Sequence, residues 1–354
     1  MIKIEKRLSI PPITKAIAKL LSFIIGTLVS LLFLKFLSVN LLDLLFNIYN
    51  DAFGSIYAIS ELLLKTVPLL ICSIGISFAF KMKLWNIGAE GQLYIGALTS
   101  SLAALYLPIN SHFLMIIIMF LIAFISGGLW SSFAGILKAK LEINEIIVTL
   151  LMNYIAILMV DYLVYGPLKD PSGFNFPYSK TFPEIAQLST FGDTRLHTGI
   201  LIAIVLLILY YILIEKSIWG YEVRVIGSNP NAAKYAGINI NKNIILVMFL
   251  SGGVSAIGGF TEVSGVIHRL QHSISPGYGY TAIIIAWLSN QNSLGILFSS
   301  IFMALIFIAG DTLQLNYQIP VSMVNSFQGM ILFSLLIVDF FINHKIIIKW
   351  RKND

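Results

Sequence analysis

Stretches of about 20 apolar residues recur along this chain, and a helix needs about that many, at about 1.5 Å each, to cross about 30 Å of hydrocarbon. The runs at 17–37, 62–80, 90–108, 113–137, 145–166, 198–214, 243–267, 277–290, 294–313 and 322–342 meet or approach that length, the eighth being short. Only 11% of the residues are charged, against about 25% in soluble domains. The expected fold class is an all-α polytopic membrane protein with eight to ten transmembrane helices.

Charge placement orients these spans, because Lys and Arg concentrate in the short loops on the cytosolic side. Of the 23 lysines and arginines, 17 fall on one side when both termini are placed there. Four, Lys169, Lys180, Arg195 and Arg269, fall on the other, and Lys35 and Lys65 lie near outer span ends. The net charge of +6 is therefore a topology signal and not a nucleic-acid surface. The expected organisation is a cytosolic segment at 1–16, a transmembrane domain at 17–342 and a cytosolic tail at 343–354. The first apolar run has no small-residue cleavage site, so it reads as an anchor. The long loop 167–197, with Pro167, Pro171, Pro177 and Pro183, reads as an ordered extracytoplasmic cap.

Ten spans divide into five and five, and an odd half re-enters the membrane inverted, the arrangement of inverted repeats. Glycines mark corresponding positions: Gly88, Gly91 and Gly96 in the third span, and Gly277 and Gly279 before its counterpart. Gly-interrupted segments of this kind point to a substrate path near the midplane.

A polar island, GYEVRVIGSNPNAAKYAGI at 220–238, interrupts the apolar runs inside a loop spanning 215–242. Asn229 suits an N-cap, Pro230 the first helical position, and Ala232 and Ala233 the turn that follows. Gly237 can end the helix in a left-handed conformation. The expectation is a two-turn cytosolic helix, with Arg224 before it and Lys234 on it.

This island resembles the coupling loop of ABC importer permeases of the branched-chain amino acid, ribose and nucleoside superfamily. WNIGAEGQ at 85–92, INEIIVTLLMNYIA at 143–156 and GYGYTAIIIAWLSNQNSLGI at 277–296 are similar to segments of its nucleoside and simple-sugar branch. The likeness runs from about residue 62 to 340, with two departures: Ser293 stands where the family pattern has proline and Ser289 where it has glycine. The resemblance implies that Gly220, Arg224, Gly227, Asn229, Pro230, Ala233 and Gly237 form the element gripped by an ABC ATPase subunit, with Arg224 a candidate for contact with that partner. It also implies a second permease subunit, like or related, and an extracytoplasmic binding protein or lipoprotein, in a bacterial inner membrane. ATP and Mg would belong to the ATPase. The substrate implied is a nucleoside, with a simple sugar of the ribose type as runner-up.

The residues themselves exclude other chemistries. No GxxxxGK[ST] occurs, so the chain lacks the phosphate cradle of an ATPase. No HExxH or CxxC is present, so neither catalytic nor metal-ligating residues are expected, and no cofactor of the chain's own. Cys72, the one cysteine, sits in an apolar run and reads as a small buried hydrophobe.

Charges within spans cost about 2.5–3.5 kcal/mol each and face a cavity or a partner. Asn86, Glu90, Gln92, Asn144, Glu145, Asn153 and Glu262 are therefore candidates for a substrate path, with a structural role the competing reading for Glu90. Ser251, Ser255 and Gly259 form a small-residue ridge suited to close helix packing. Few charged groups in the path suit a neutral solute. The rival readings are a secondary transporter or channel needing no ATPase, a membrane enzyme and a scaffold. The first would call for a titratable relay in mid-span.

Overall fold

A computed structural model of the protein describes residues 2–6 and 40–348. Nine of the expected spans are helices close to their predicted limits. Helices α1 to α5 are Leu41–Phe53, Ile56–Lys81, Ala89–Tyr106, His112–Leu141 and Glu145–Tyr165; α6 is Gly199–Tyr211, prolonged by a π-turn at Ile212–Lys216. Helices α7 to α12 are Ile218–Ser228, Pro230–Tyr235, Ile240–Glu262, Tyr278–Leu288, Ser293–Asn316 and Val321–Asn343. Six of these elements are long and apolar enough to cross a membrane by length and composition alone. The chain is an all-α polytopic membrane protein. One short antiparallel pairing, β1 (Ile2–Lys6) with β2 (His344–Ile348), is added to the helices. The first expected span, 17–37, lies outside the described residues.

The chain divides into two compact units, Ile59–Ala304 and Met1–Ala58 with Leu305–Asp354. In the larger unit the small residues of α9 meet α3 and α4 at near backbone contact. A Cβ on Gly96 would overlap the Ala256 carbonyl, and one on Gly259 the carbonyl of Leu93. Lipid gives helices no hydrophobic reason to associate, so close approach of this kind is what holds them. The ridge read from Ser251, Ser255 and Gly259 is a packing surface, all three residues being buried.

The segment 167–197 folds back over the end of α9. Phe182 N donates to His268 O at 2.8 Å, Ser179 N to Leu270 O at 2.8 Å and Leu188 N to Ser264 O at 2.9 Å. His197, 1% exposed, accepts at Nδ1 from Gly199 N at 3.1 Å. Burial, with the neighbouring His268 ring adding to it, lowers its pKa to about 4. Asp161, near the outer end of α5, has its Oδ1 2.7 Å from His272 Nδ1.

The smaller unit holds α1, which the sequence reading missed. Asn40 caps it, accepting from Leu42 N at 3.1 Å. Asp51 accepts from Thr312 Oγ1 at 2.7 Å, and Asn47 donates to the Tyr317 hydroxyl at 3.0 Å.

Candidate functional site

The polar island is two helices and not one. Ser217 Oγ accepts from Gly220 N at 2.9 Å and starts α7, whose Val223 and Ile226 are buried. That capped, half-apolar turn is why residues 218–228 are helical, where the sequence reading placed an approach to a later helix. Arg224 therefore lies on α7, and its Nη1 donates to Ile214 O in the preceding π-turn. Trp219 Nε1 donates to Asn243 Oδ1 at 2.8 Å, and Asn243 Nδ2 to Glu222 Oε2 at 3.1 Å. These bonds fix α7 to the first turn of α9. Gly220 and Gly227 are buried, and Gly227 lies against the Lys81 carbonyl at the end of α2. Lys81 Nζ also pairs with Glu215 at 3.4 Å.

Helix α8 is closed at both ends by local chemistry. Asn229 Oδ1 accepts from Asn231 N at 3.1 Å and Ala232 N at 3.2 Å, with Pro230 at the first helical position. At the other end Ile238 N donates to Ala233 O at 3.0 Å and Gly237 N to Lys234 O at 3.1 Å. Gly237 has φ +76°, so this pair of bonds is a Schellman closure. Ala233 is buried, whereas Asn231, Ala232 and Lys234 face outward and Tyr235 is 94% exposed. Beside α8 a cleft of about 650 Å³ is lined by Lys138, Glu142, Lys234, Ile238, Asn239 and Ile244, among others. Tyr235 went unnoticed in the sequence, because one tyrosine in a polar loop carries no periodicity to mark it.

The second group of candidates gathers around the non-helical link 82–88 and the start of α3. Asn86 Nδ2 donates to Ser251 Oγ at 2.8 Å and to Gln92 Oε1 at 3.1 Å, and Gln92 Nε2 donates back to Asn86 Oδ1 at 3.0 Å. Asn153 Oδ1 accepts from Gly91 N at 2.8 Å while its Nδ2 donates to Ile87 O at 2.8 Å. Glu145 Oε1 accepts from Trp85 N at 3.3 Å, and its Oε2 pairs with Lys138 at 2.9 Å. Glu90 Oε2 accepts from Gly279 N at 2.7 Å, so the starts of α3 and α10 are joined. All five side chains are buried. Each unpaired buried polar group would cost about 1–3 kcal/mol, so these bonds are what allow the helix break at 82–88 to sit inside the bundle.

Two candidates lie apart from this cluster. Asn144 is exposed and caps α5, accepting from Ile146 N at 2.9 Å. Glu262 is buried on α9, 11 residues past Ser251, or about 16 Å along the helix. Its electrostatic neighbours are Lys65 and Arg195, the latter 3.4 Å from Glu61. Among the described residues no three His, Cys, Asp or Glu side chains gather as metal ligands would.

The family model described as "Branched-chain amino acid transport system / permease component" matches residues 58–338. The chain belongs to that family. The permease is 31% identical over 331 residues to the glucose ABC transporter permease TsgB13 of Haloferax volcanii, covering 90% of this chain and 87% of that one. It is 29% identical over 291 residues to the guanosine ABC transporter permease NupP of Bacillus subtilis, covering 78% and 80%. With the nucleoside permease NupB of Lactococcus lactis it shares 26% over 336 residues, 91% of each chain. The permease is an ABC permease of the nucleoside and sugar branch.

Proposed function

We propose that the permease is one membrane subunit of a bacterial importer that carries nucleosides inward by alternating access. The observation that carries this reading is α8, which is closed by local bonds, presents an exposed outer face and stands on α7, itself seated against the end of α2 at Gly227. A push or pull on α8 would reach a span without first being absorbed by a loose loop. A separate cytosolic ATPase, holding its own ATP and Mg, grips α8 through Tyr235 and Lys234, while Arg224, engaged with Ile214 O, positions α7. The distribution of basic residues supports cytosolic termini and a cytosolic α7–α8 element in an inner membrane. Two inverted halves would meet where Glu90 accepts from Gly279. A second permease subunit completes the path, and an extracytoplasmic binding protein delivers solute to the 167–197 cap.

The nucleoside assignment rests on NupP and NupB, and the small number of charged groups, 11% of the chain, suits a neutral solute. A sugar reading has its own support in TsgB13. The test is uptake of labelled guanosine by cells expressing the importer, with unlabelled glucose and ribose as competitors, together with co-purification of the permease and its ATPase. Uptake that guanosine saturates and glucose does not displace supports the proposal. Displacement by glucose alone establishes the sugar reading, and uptake without an associated ATPase establishes a secondary transporter.

A further inference from the structure

Helix α10 has 11 residues, about 16 Å of helix, or roughly half the hydrocarbon thickness. The 24-residue span α11 begins only a few residues after α10 ends, which places the end of α10 at a membrane boundary and its start deep within. The chain from 268 to 277, leading to that start, is not helical, and neither is the link 82–88. The two interruptions meet where Glu90 accepts from Gly279. Irregular backbone at membrane depth is tolerated against protein or a water-filled cavity and not against lipid, and paired interruptions mark substrate sites in transporters.

One face of α10 leads away from this junction. Tyr280 and Trp287, two turns apart, are 37% and 39% exposed. Trp287 meets Trp85, itself 37% exposed, with ring centroids 5.4 Å apart and planes at 37°. Phe80 backs Trp85 at 5.0 Å. The stripe therefore runs from the buried polar junction to the basic end of the unit.

We propose that Tyr280, Trp287 and Trp85 form the surface along which a planar, uncharged base passes, held by ring stacking. This rests on the nucleoside reading above. Stacking suits the task because every base has a π-face and no ion pair has to be broken for release. A sugar without a base would gain little from the same rings.

The test uses the whole importer in cells. Cys72 is buried and is the one native cysteine, so a Trp287→Cys variant reports on water access at its own position. It is expected to react with a charged thiol reagent and to be protected severalfold by guanosine. Trp287→Leu should raise the KM for guanosine uptake about tenfold at unchanged membrane expression, the size of effect lost with one stacked ring. Trp287→Phe should recover most of it, and Tyr162→Leu, at the far end of α5, should change nothing. Absence of labelling at Trp287→Cys, or an unchanged KM in Trp287→Leu, overturns the proposal, because lipid or a second copy of the chain would then cover the stripe. A wild-type importer that takes up glucose and no nucleoside refutes the substrate reading as well. That failure shows in the wild type alone and is told apart from failure of the stripe.

Discussion

The carbonyl oxygen of Lys81 occupies the space that a Cβ on Gly227 would need. This contact joins the end of α2 to α7, the first helix of the polar island. The side chain of the same lysine reaches Glu215 at 3.4 Å, so α2 also holds by charge the π-turn that leads into the island. The salt bridge is partly exposed and worth about 1 kcal/mol at most, which leaves the backbone contact as the stronger constraint.

Gly227→Val is expected to lower the stability of the permease by about 1–3 kcal/mol, because the carbonyl it meets belongs to a helix end and cannot rotate away. Thermal unfolding in detergent would measure it. Transport should fall further than stability, since the new side chain separates α7 from α2. A Gly227→Val protein with normal Tm and normal uptake would show that the two elements need not touch.

Tyr235→Ala should leave the stability within about 0.5 kcal/mol of wild type, as an exposed side chain away from any bond does. Its effect belongs to association: co-purification of the ATPase is expected to weaken at least tenfold, the range of a central aromatic contact of about 2 kcal/mol. Equal recovery of ATPase with wild type and variant would remove Tyr235 from the interface.

Asn229, Pro230 and Gly237 were legible in the sequence because capping is local: the cap residue, the preset φ and the left-handed turn each act within a few positions. The spans were legible for a similar reason, since apolar length alone defines them. Helix α1 escaped because Leu41–Phe53 is short and mixes Asp43, Asn47 and Asp51 with its apolar residues. The destination of Arg224 escaped because a guanidinium before a helix reads as available, whereas Ser217 had already started α7 around it. The Lys81–Gly227 contact and the Asn86–Ser251 bond join residues far apart in the chain, and a single sequence carries no trace of such pairs. The polar candidates at 86–92 were found as a group, while their mutual bonding became visible only in the fold.

Asn153→Ala should destabilise the permease by about 2–4 kcal/mol, because Gly91 N and Ile87 O would both lose buried partners, each worth about 1–3 kcal/mol. Unfolding by denaturant would show the loss, and the KM for uptake by the remaining folded protein should be unchanged. The opposite pattern, a raised KM at constant stability, would make Asn153 a substrate contact.

His197 makes stability depend on pH in a defined direction. Burial, reinforced by His268, lowers its pKa to about 4, below the ordinary value near 6.5. The folded state therefore holds a neutral ring, whose Nδ1 accepts from Gly199 N, while the unfolded chain takes up a proton more readily. Its contribution is fully present above pH 6.5 and is lost as pH falls from there toward 4, by about 3 kcal/mol in all. The Tm of purified permease should accordingly drop between pH 6.5 and 4.5, and His197→Asn should flatten that part of the curve while lowering Tm at pH 7.5. An equal acid slope in wild type and His197→Asn would assign the dependence to other groups.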